Sequence, residues 1–351
     1  MNILDFTGIN IIAISACVPK NIVINEDFAK ELYPDEGQLK KVIDTIGVKE
    51  RRKTSNLICA SDLCFAAAEK LIEEIKIERS EIDVLIFVSQ TPDYRLPATS
   101  ILLQEKLGLS KQTVAFDVNL GCSGYVYGLS IAYSFANNPN IRKVLLLVGD
   151  TPTKFISEKD KSSALLFGDS GTATLIESSK SNIYTAFNLF SDGSGQNSLI
   201  IKGGGYRNPS NKDSFELASD EDGNMRNSEQ LYMNGGDIFN FTLREVPKSI
   251  NQLLDFLKMN MGDINHFIFH QANKFMIDFL CKKMKIPSDK FITSLEKYGN
   301  TSAASIPLTL VVNKDKYIYN QIMMTGFGVG LSWANCYTNV SDTIFLNLIE
   351  L

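Results

Sequence analysis

An apolar strand pattern, a turn and a helical pattern meet in the stretch Val118-Asn119-Leu120-Gly121-Cys122-Ser123-Gly124-Tyr125. The strand pattern covers 113–118, and the helical pattern runs from about 123 to 136. A cysteine at a helix N-terminus lies beside unpaired backbone N–H groups and the positive end of the helix dipole, which both favour the thiolate. Cys122 is therefore a candidate nucleophile, and the alternative is a buried structural cysteine, because cysteine is among the most buried residue types.

Composition and charge exclude several classes of protein. The chain has 351 residues, of which 44% are hydrophobic and 21% charged, and its net charge is −5 without a block of like charge. These values are ordinary for a soluble globular protein and do not indicate a nucleic-acid or membrane-surface partner. We expect no signal peptide and no membrane span, because no apolar run approaches the roughly 20 residues that a bilayer requires. The predicted location is the cytoplasm.

The cysteines and histidines are few and scattered. Six cysteines, at 17, 59, 64, 122, 281 and 336, form no Cys-x-x-Cys pair. The close pair Cys59 and Cys64 has no neighbouring histidine that could complete a zinc site, so we predict no metal and a reducing compartment. Only two histidines occur, His266 and His270, and any chemistry that needs an imidazole must use one of them.

Strand and helix patterns alternate along the chain, which favours an α/β fold. Continuous apolar runs at 83–88 and 143–148 predict strands that are covered on both faces. The segment 191–230 is rich in Gly, Ser, Asn and Asp and predicts a long irregular excursion. The other predicted elements are a first strand at 9–18, helices at 26–32, 38–46, 61–75 and 99–107, a charged turn at 47–52, a Gly-broken strand pair at 164–176, a helix at 239–257, a strand at 266–270, helices at 274–284 and 306–312, and strands at 319–325 and 328–337.

One helix–turn–strand unit recurs at a shift of 182 residues without a gap. The shift takes Leu71-Ile72 to Leu253-Leu254, Ile75-Lys76 to Leu257-Lys258, and Ile86-Phe87 to Ile268-Phe269. Either any two helix–strand units look alike, or two similar halves pack together. The second interpretation predicts an N-terminal half, 1–175, and a C-terminal half, 176–351, and it places the Cys122 loop opposite the loop at 299–301.

Two further polar residues could join Cys122. His270 follows an apolar strand, and this position lies at a sheet edge, where α/β proteins form their sites. Asn300 lies in a run of small residues that precedes Pro307. The alternatives are a satisfied, semi-buried histidine and a plain turn before a helix. Cys, His and Asn on separate loops form a thiol-nucleophile set that is adjacent in space rather than in sequence.

Several short motifs occur in a fixed order along nearly the whole chain. They are Thr91-Pro92-Asp93-Tyr94, Gly121-Cys122-Ser123-Gly124, Phe167-Gly168-Asp169, Met233-Asn234-Gly235, His270-Gln271-Ala272-Asn273, Tyr298-Gly299-Asn300-Thr301-Ser302-Ala303-Ala304-Ser305-Ile306-Pro307 and Gly328-Val329-Gly330-Leu331-Ser332-Trp333. In this order they resemble β-ketoacyl–acyl carrier protein synthase III. The resemblance implies the thiolase-like fold of this condensing-enzyme family, with five αβαβα layers and two similar halves that each contain a mixed β-sheet.

The resemblance also implies a reaction. Cys122 would accept an acyl group from a thioester, and His270 and Asn300 would assist decarboxylation of a malonyl thioester. The resulting carbanion would attack the acyl group and give a 3-oxoacyl product, in fatty-acid synthesis or a specialised acyl-chain pathway. The oxyanion hole would be formed by the backbone N–H groups of Cys122 and Val329. The family implies a homodimer, an acyl carrier protein partner and no cofactor beyond the phosphopantetheine of the substrates, carried by the carrier protein, coenzyme A or both.

Some positions depart from the family pattern. Family members that use coenzyme A usually carry Trp, Arg and Thr where this chain has Lys41, Thr45 and Ile46. A basic residue is expected at Phe275, although Lys274 stands beside it, and Leu96 replaces a phenylalanine that closes the acyl pocket across the dimer. By resemblance, the substrate-binding residues are Asn273, Lys274, Gly235 and Leu96. These departures, with the long 191–230 insert and a Val329 in place of glycine, predict a specialised paralogue with a different substrate.

Two other functions remain open at this stage. A relative of the same fold could transfer an acyl group to an oxygen or nitrogen acceptor without decarboxylation, although the presence of both His270 and Asn300 favours condensation. The chain could also be a non-condensing partner subunit, which an intact Cys122 disfavours. A serine hydrolase is not supported, because no Gly-x-Ser-x-Gly elbow with a following Asp and His is found.

Overall fold

Two β-sheets alternate with three helical layers in the computed structural model, which describes residues 2–351. The strands are β1 (Ile3–Thr7), β2 (Ile9–Val18), β3 (Ile22–Ile24), β4 (Glu50–Arg52), β5 (Ile82–Val88), β6 (Val114–Val118), β7 (Lys143–Asp150), β8 (Ser170–Ser178), β9 (Tyr184–Ser191), β10 (Leu199–Ile200), β11 (Ala218–Ser219), β12 (Met225–Arg226), β13 (Tyr232–Met233), β14 (His266–Phe269), β15 (Ile322–Gly328), β16 (Ser332–Thr338), β17 (Ile344–Phe345) and β18 (Ile349–Glu350). The α-helices are α1 (Asn25–Phe28), α2 (Glu36–Ile46), α3 (Ala60–Ile75), α4 (Thr99–Lys106), α5 (Gly124–Ala136), α6 (Gly235–Leu257), α7 (Lys274–Met284), α8 (Leu295–Tyr298) and α9 (Ser305–Val312).

Both large sheets are mixed. The first has the order β17-β2-β8-β7-β5-β6, with β18 also paired to β2. Its strands β5, β6 and β7 are parallel, whereas β8 is antiparallel to both β7 and β2. The second has the order β1-β9-β16-β15-β14, in which only β14 and β15 are parallel. The two sheets therefore share one core pattern, with parallel strands on one side and antiparallel strands on the other.

Side chains on the two faces of each strand pack into different hydrophobic clusters. Val84 and Ile86 of β5 join the central cluster with Tyr125 of α5, Ile306 of α9 and Met324 of β15. Leu85 and Phe87 point the other way, into a cluster with α3 and α4. A third cluster joins the outer face of β14 and β15 to α6 and α7. Helices α5 and α9 thus lie between the sheets, and the predicted five-layered αβαβα fold is confirmed.

The repeat at a shift of 182 is confirmed by local backbone geometry. Helices α3 and α6 are followed by the equivalent C-cap residues Lys76 and Lys258, which both adopt a left-handed conformation with φ of 56°. Equivalent 3₁₀ turns follow at Arg79–Glu81 and Met261–Asp263, and then β5 and β14. Chance likeness of two helix–strand units does not explain agreement in every one of these features.

The predicted boundary between the halves needs correction. The division into 1–175 and 176–351 cuts through β8, which extends to Ser178 and pairs with β7 from Ser170 to Glu177. The ends of the chain also cross over, because β1 pairs with β9 of the second sheet while β17 and β18 pair with β2 of the first. Strands β1 and β9 were not predicted from the sequence, and without them the exchange of termini could not be inferred.

Several local predictions also change. The helix expected at 26–32 is only the single turn α1, and the charged turn at 47–52 contains β4, which pairs with β3. The strand pair expected at 164–176 is β8 alone, because residues 164–167 form a buried turn. The last predicted strands shift to β15 and β16, separated by a turn at 329–331. The insert at 191–230 is mostly irregular as predicted, with two short ribbons, β10–β13 and β11–β12.

Among residues 2–351, no helix is both long enough and apolar enough to span a membrane.

Candidate active site

Cys122 lies in the turn between β6 and α5, at the inner layer of the fold. The turn is closed by the Gly124 N–H, which donates to the Gly121 carbonyl at 2.6 Å. The loop after β15 lies directly on the cysteine: a Cβ atom added at Gly328 would stand 2.7 Å from both Cβ and Sγ of Cys122. Gly328 also has φ of 154°, so this position requires glycine for both space and backbone conformation. Cys122 is buried, with 8% of the residue exposed.

The surroundings of Cys122 hold it as a thiol in the resting protein. Burial raises the pKa of the Cys122 thiol to about 11, and the nearby carboxylate of Asp150 contributes in the same direction. The backbone N–H groups of Val329 and Cys122 and the Ser302 hydroxyl lower the pKa, but by less. The thiolate expected from the helix N-terminus is therefore not the resting state, because burial outweighs the N–H groups.

His270 follows β14 and is only 1% exposed. Its backbone N–H donates to the Thr325 carbonyl at 2.8 Å, and its Nδ1 lies 2.8 Å from the Ser305 hydroxyl. That hydroxyl also accepts from the Gln271 N–H at 3.3 Å, which favours donation of its own hydrogen to Nδ1. This pattern leaves the ring hydrogen on Nε2. Burial lowers the pKa of His270 to about 3, so the imidazole is neutral near pH 7.

Asn300 is buried where the two halves touch. Its backbone N–H donates to the Leu166 carbonyl at 2.9 Å, and its carbonyl accepts from the Gly168 N–H at 3.1 Å. Its side-chain Oδ1 accepts from the Ser302 N–H at 2.9 Å. The Nδ2 group has a long contact, 3.5 Å, with the Ala272 carbonyl in the loop that follows His270. One amide hydrogen of Asn300 therefore remains available to a ligand.

Ser302 lies beside Asn300, and sequence reasoning did not single it out. Its hydroxyl and backbone affect the pKa values of Cys122 and His270 respectively, and its N–H binds Asn300. Asp150, at the end of β7, was missed as well. The only sequence signal for Ser302 was its place in the small-residue run 301–305, and for Asp150 its place at the end of a buried strand. The loops that carry Cys122, His270 and Asn300 meet, because a Cβ added at Gly124 would lie 3.2 Å from Ala303 and Asn300 Nδ2 lies 3.5 Å from the Ala272 carbonyl.

The predicted substrate-binding residues lie on two helix N-termini and one loop. Asn273 caps α7 by accepting from the Met276 N–H at 2.8 Å, and the exposed Lys274 pairs with Asp278. Gly235 is the first residue of α6. Leu96 differs from these, because its side chain is 76% exposed and does not line the buried Cys122 site of its own chain.

Lys41, Thr45, Phe275 and Leu96 are exposed, whereas Ile46 and Val329, which also depart from the family pattern, are half-buried. Lys41 and Thr45 on α2 have no aromatic ring that could stack on an adenine. The Thr45 hydroxyl donates to the Lys41 carbonyl at 2.7 Å. Phe275 stacks on Phe239 with 5.4 Å between ring centroids, and Phe279 lies 4.8 Å from Phe275. The insert at 191–230 contacts the Leu96 loop, since Arg95 donates to the Gly204 carbonyl.

Comparison with known proteins agrees with this fold. A family model described as 3-oxoacyl-[acyl-carrier-protein] synthase III matches residues 116–193, and the model of its C-terminal part matches 254–340. A putative 3-oxoacyl-[acyl-carrier-protein] synthase 3 of Campylobacter jejuni is 37% identical over 98% of this chain and 97% of its own length. A β-ketoacyl-[acyl-carrier-protein] synthase III of Clostridium perfringens is 34% identical over 90% of this chain and 94% of its own.

A solved structure extends the agreement to three dimensions. The 3-oxoacyl-(acyl-carrier protein) synthase of Burkholderia xenovorans LB400 superposes with a TM-score of 0.92 at 40% identity, covering 100% of this chain and 99% of that one. The fold and the thiol–imidazole–carboxamide site define a condensing enzyme of the thiolase-like class. The chain belongs to the β-ketoacyl–acyl carrier protein synthase III family.

Proposed function

We propose that this protein condenses an acyl thioester, held on Cys122, with a malonyl thioester and releases carbon dioxide. The observation that carries the proposal is that the three loops meet. A Cβ added at Gly124, beside Cys122, would lie 3.2 Å from Ala303 in the Asn300 loop, and Asn300 Nδ2 lies 3.5 Å from the Ala272 carbonyl in the loop that follows His270. Each of Cys122, His270 and Asn300 has a side-chain group of the kind that one step of this reaction needs.

The first step is transfer of the acyl group. The sulfur of Cys122 forms a bond to the thioester carbon, the carbon–sulfur bond of the donor breaks, and the departing thiol carries the proton that Cys122 gives up. The oxyanion that develops accepts hydrogen bonds from the N–H groups of Cys122 and Val329, which lie at the sulfur. Burial is an advantage after this step, since the acyl-cysteine is neutral and excludes water.

The second step is decarboxylation of the malonyl group. The bond to the carboxylate carbon breaks, carbon dioxide leaves, and the electron pair moves onto the thioester oxygen. His270 Nε2–H and Asn300 Nδ2–H are the donors that stabilise this enolate. Because the pKa of His270 is held at about 3, the ring donates a hydrogen bond without supplying a proton that would quench the carbanion. One such donor is worth about 3–4 kcal/mol of barrier.

The third step joins the two groups. The carbanion forms a carbon–carbon bond with the acyl carbonyl on Cys122, the tetrahedral oxyanion forms in the same N–H pair, and the thiolate of Cys122 leaves. The thiolate then takes a proton and restores the resting thiol. The product is a 3-oxoacyl thioester on the carrier that delivered the malonyl group.

The substrates reach the site on a phosphopantetheine arm, and no other cofactor enters the steps above. Gly235 and Asn273 lie at the first turns of α6 and α7, where backbone N–H groups favour a phosphate, and Lys274 adds a positive charge. Helix α2 offers no aromatic face for an adenine ring at Lys41 or Thr45. This favours acyl carrier protein over coenzyme A as the donor.

A second copy of the chain is the proposed partner at the edge of the first sheet. Strand β6 pairs only with β5, so its other edge has free backbone groups. Val114 on β6 is 46% exposed, and Ile101 on the neighbouring α4 is 47% exposed. An apolar edge strand favours pairing with another strand, and we propose a cytoplasmic homodimer joined through β6. In that dimer the exposed Leu96 would be available to the acyl pocket of the other protomer.

The test combines mass spectrometry with gas release. The protein is exposed to a panel of acyl thioesters, and the mass of the peptide that contains Cys122 is measured. Malonyl–acyl carrier protein is then added. We expect acyl-Cys122, carbon dioxide and a 3-oxoacyl product, and none of them in Cys122→Ala; Cys281→Ala is the matched control, because Cys281 lies on α7 away from the site. Acylation without carbon dioxide release would favour the transfer to an oxygen or nitrogen acceptor. No acylation by any donor would favour the non-condensing subunit.

A further inference from the structure

A glutamine amide lies against the loop that carries the nucleophile. Gln90 is the second residue after β5, and it is exposed. A Cβ atom added at Gly121 would collide with Oε1 of Gln90, and it would stand 3.0 Å from Cδ of Gln90 and 2.8 Å from Cγ1 of Val329. Gly121 does not have a positive φ, so space and not backbone conformation requires a glycine there. The Gln90 amide therefore occupies the space that a side chain before Cys122 would need.

The backbone of Gln90 is held in place, although the residue is exposed. The Gln90 N–H donates to Oδ1 of Asp150 at 2.7 Å, and the same oxygen accepts from the Ser89 hydroxyl at 3.0 Å. Asp150 ends β7 and is only 1% exposed, so the loop after β5 is fixed to the sheet at this point. A fixed backbone limits the positions that the amide can reach, and a group that selects a ligand needs this restriction.

The amide itself is free to bind a ligand. Within residues 2–351, the hydrogen bond of Gln90 comes from its backbone, and neither end of its amide is paired. A carboxamide has two N–H donors and one acceptor oxygen, and the oxygen is the end that lies on Gly121. The N–H end can therefore donate to an oxygen atom of a group attached to the sulfur of Cys122, one residue further along the loop.

We propose that Gln90 is a specificity-determining residue: its amide N–H binds an oxygen atom on the acyl group that Cys122 holds. The protein would then select acyl donors with a hydroxyl or carbonyl oxygen close to the thioester over plain alkyl donors of the same length. This second oxygen is distinct from the thioester oxygen, which the N–H groups of Cys122 and Val329 would bind. The proposal rests on the proposed function for the acyl group on Cys122, but not for the decarboxylation step.

The test measures the acylation of Cys122 by three N-acetylcysteamine thioesters with the same number of carbon atoms: butyryl, 3-hydroxybutyryl and 3-oxobutyryl. Mass spectrometry of the peptide that contains Cys122 gives each rate. An oxygen substituent also changes the reactivity of the thioester, so each preference over butyryl is compared with that of Gln90→Leu, which has a side chain of similar size without the amide. We expect at least one oxygen-bearing donor to have a preference about 5- to 10-fold larger in the wild type, as one uncharged hydrogen bond provides. Equal preferences in the two proteins would overturn the proposal.

Gln90→Glu distinguishes the two kinds of oxygen. A carboxylate accepts a hydrogen bond from a hydroxyl group but has no hydrogen to donate to a carbonyl group. The preference for 3-oxobutyryl should therefore fall to that of Gln90→Leu, whereas part of the preference for 3-hydroxybutyryl should remain. If Gln90→Glu keeps a wild-type preference for 3-oxobutyryl, donation by the amide is contradicted.

Two further variants test the placement of the amide. Gln112 is also exposed, and it precedes β6 at the end of the strand away from the Cys122 loop. Gln112→Leu should leave all preferences unchanged, and an equal loss there would contradict a specific role of Gln90. In Gly121→Ala the new Cβ must displace the Gln90 amide, so the preference should fall as in Gln90→Leu. If Gln90→Leu does not fold, Gly121→Ala decides: a wild-type preference in that variant overturns the proposal.

Acylation needs no malonyl thioester, so the result for Gln90 is distinguishable from the result for condensation. A wild type that is acylated with the expected preference but releases no carbon dioxide supports the role of Gln90, while the proposed condensation fails. If none of the three donors acylates Cys122, both proposals fail. A Gln90→Leu variant that weakens a dimer but keeps the wild-type preference would show that the amide binds the other protomer, and this result also overturns the proposal.

Discussion

The two halves of the molecule share a scaffold but divide the chemistry. The order β6-β5-β7-β8-β2 in the first sheet matches Phe291-β14-β15-β16-β9 in the second, where Phe291 forms a parallel bridge with Phe267 in the position of β6. At equivalent places the first half carries Cys122 and Asp150, whereas the second carries Asn300 and the glycine loop at Gly328. The first half therefore supplies the groups that take or hold negative charge, and the second half supplies neutral donors.

This difference shows how a duplicated fold can separate nucleophile from stabilising donors. Helices α5 and α9 start from equivalent loops and pack side by side between the sheets. Their N-terminal loops therefore meet, and residues that are distant in sequence become neighbours. The site is formed at the junction of the halves, so each half alone lacks part of it.

The largest effect on activity is expected when the nucleophile of the first half is removed. Cys122→Ala removes the sulfur of the proposed nucleophile, and we expect acylation and condensation to fall to the background of the assay, a loss of more than about 10³-fold. Product formation by mass spectrometry measures it. Residual acylation in Cys122→Ala at the wild-type rate would show that another residue is the nucleophile.

Loss of the second half's donors should be large but selective. His270→Ala and Asn300→Ala each remove one enolate donor, and we expect carbon dioxide release to fall about 10²- to 10³-fold. Acylation of Cys122 should fall much less, since the oxyanion hole that we propose for it is formed by backbone groups. Single-turnover measurements of the two steps test this, and a similar loss in both steps would contradict the division between the halves.

The pH dependence of Cys122 alkylation tests whether burial or the helix N-terminus has the larger effect on the thiol pKa. Because the pKa of Cys122 is raised to about 11, the thiolate fraction rises with pH throughout the range below that value. The alkylation rate should increase about tenfold for each pH unit between pH 7 and pH 10. A plateau by pH 8 would show that the helix N-terminus and the N–H groups outweigh burial.

A substitution at Gly328 tests how closely the loop after β15 approaches Cys122. In Gly328→Ala the new Cβ would stand 2.7 Å from Sγ of Cys122, in a backbone conformation with φ of 154°. We expect a loss of about 1–3 kcal/mol in the free energy of unfolding and slower acylation. Gly193→Ala is the control, because its Cβ would meet nothing within 4 Å. Equal unfolding midpoints in urea for the two variants would contradict the close approach.

The smallest effect compares the duplicated helix ends directly. Lys76 and Lys258 both occupy a left-handed conformation that favours glycine. Lys76→Gly and Lys258→Gly should each raise the free energy of unfolding by about 0.5–1 kcal/mol, measured by urea denaturation. A gain at one site and a loss at the other would show that the two halves have diverged at this turn.

Some parts of the fold and site could be predicted from the sequence, and others could not. The Cys122 turn, the helix α7 and the repeated Leu71 and Leu253 units depend on local patterns, and all of them could be predicted. Strand β1 could not, because its side chains are largely exposed and its place in the sheet depends on β9. Ser302 and Asp150 lie on loops that meet only in the folded chain, so no periodicity marked them, and the 298–307 motif that contains Ser302 assigned it no role.

The central claim is that Cys122, His270 and Asn300 act in one site. The most direct test follows the acyl group on Cys122 and the carbon dioxide from a labelled malonyl thioester in the same sample, for the wild type and Asn300→Ala. We predict that the acyl group leaves Cys122 at the rate at which carbon dioxide appears, and that both rates fall together in Asn300→Ala. An acyl group that stays on Cys122 while carbon dioxide is released, or that leaves without any release, would contradict the account.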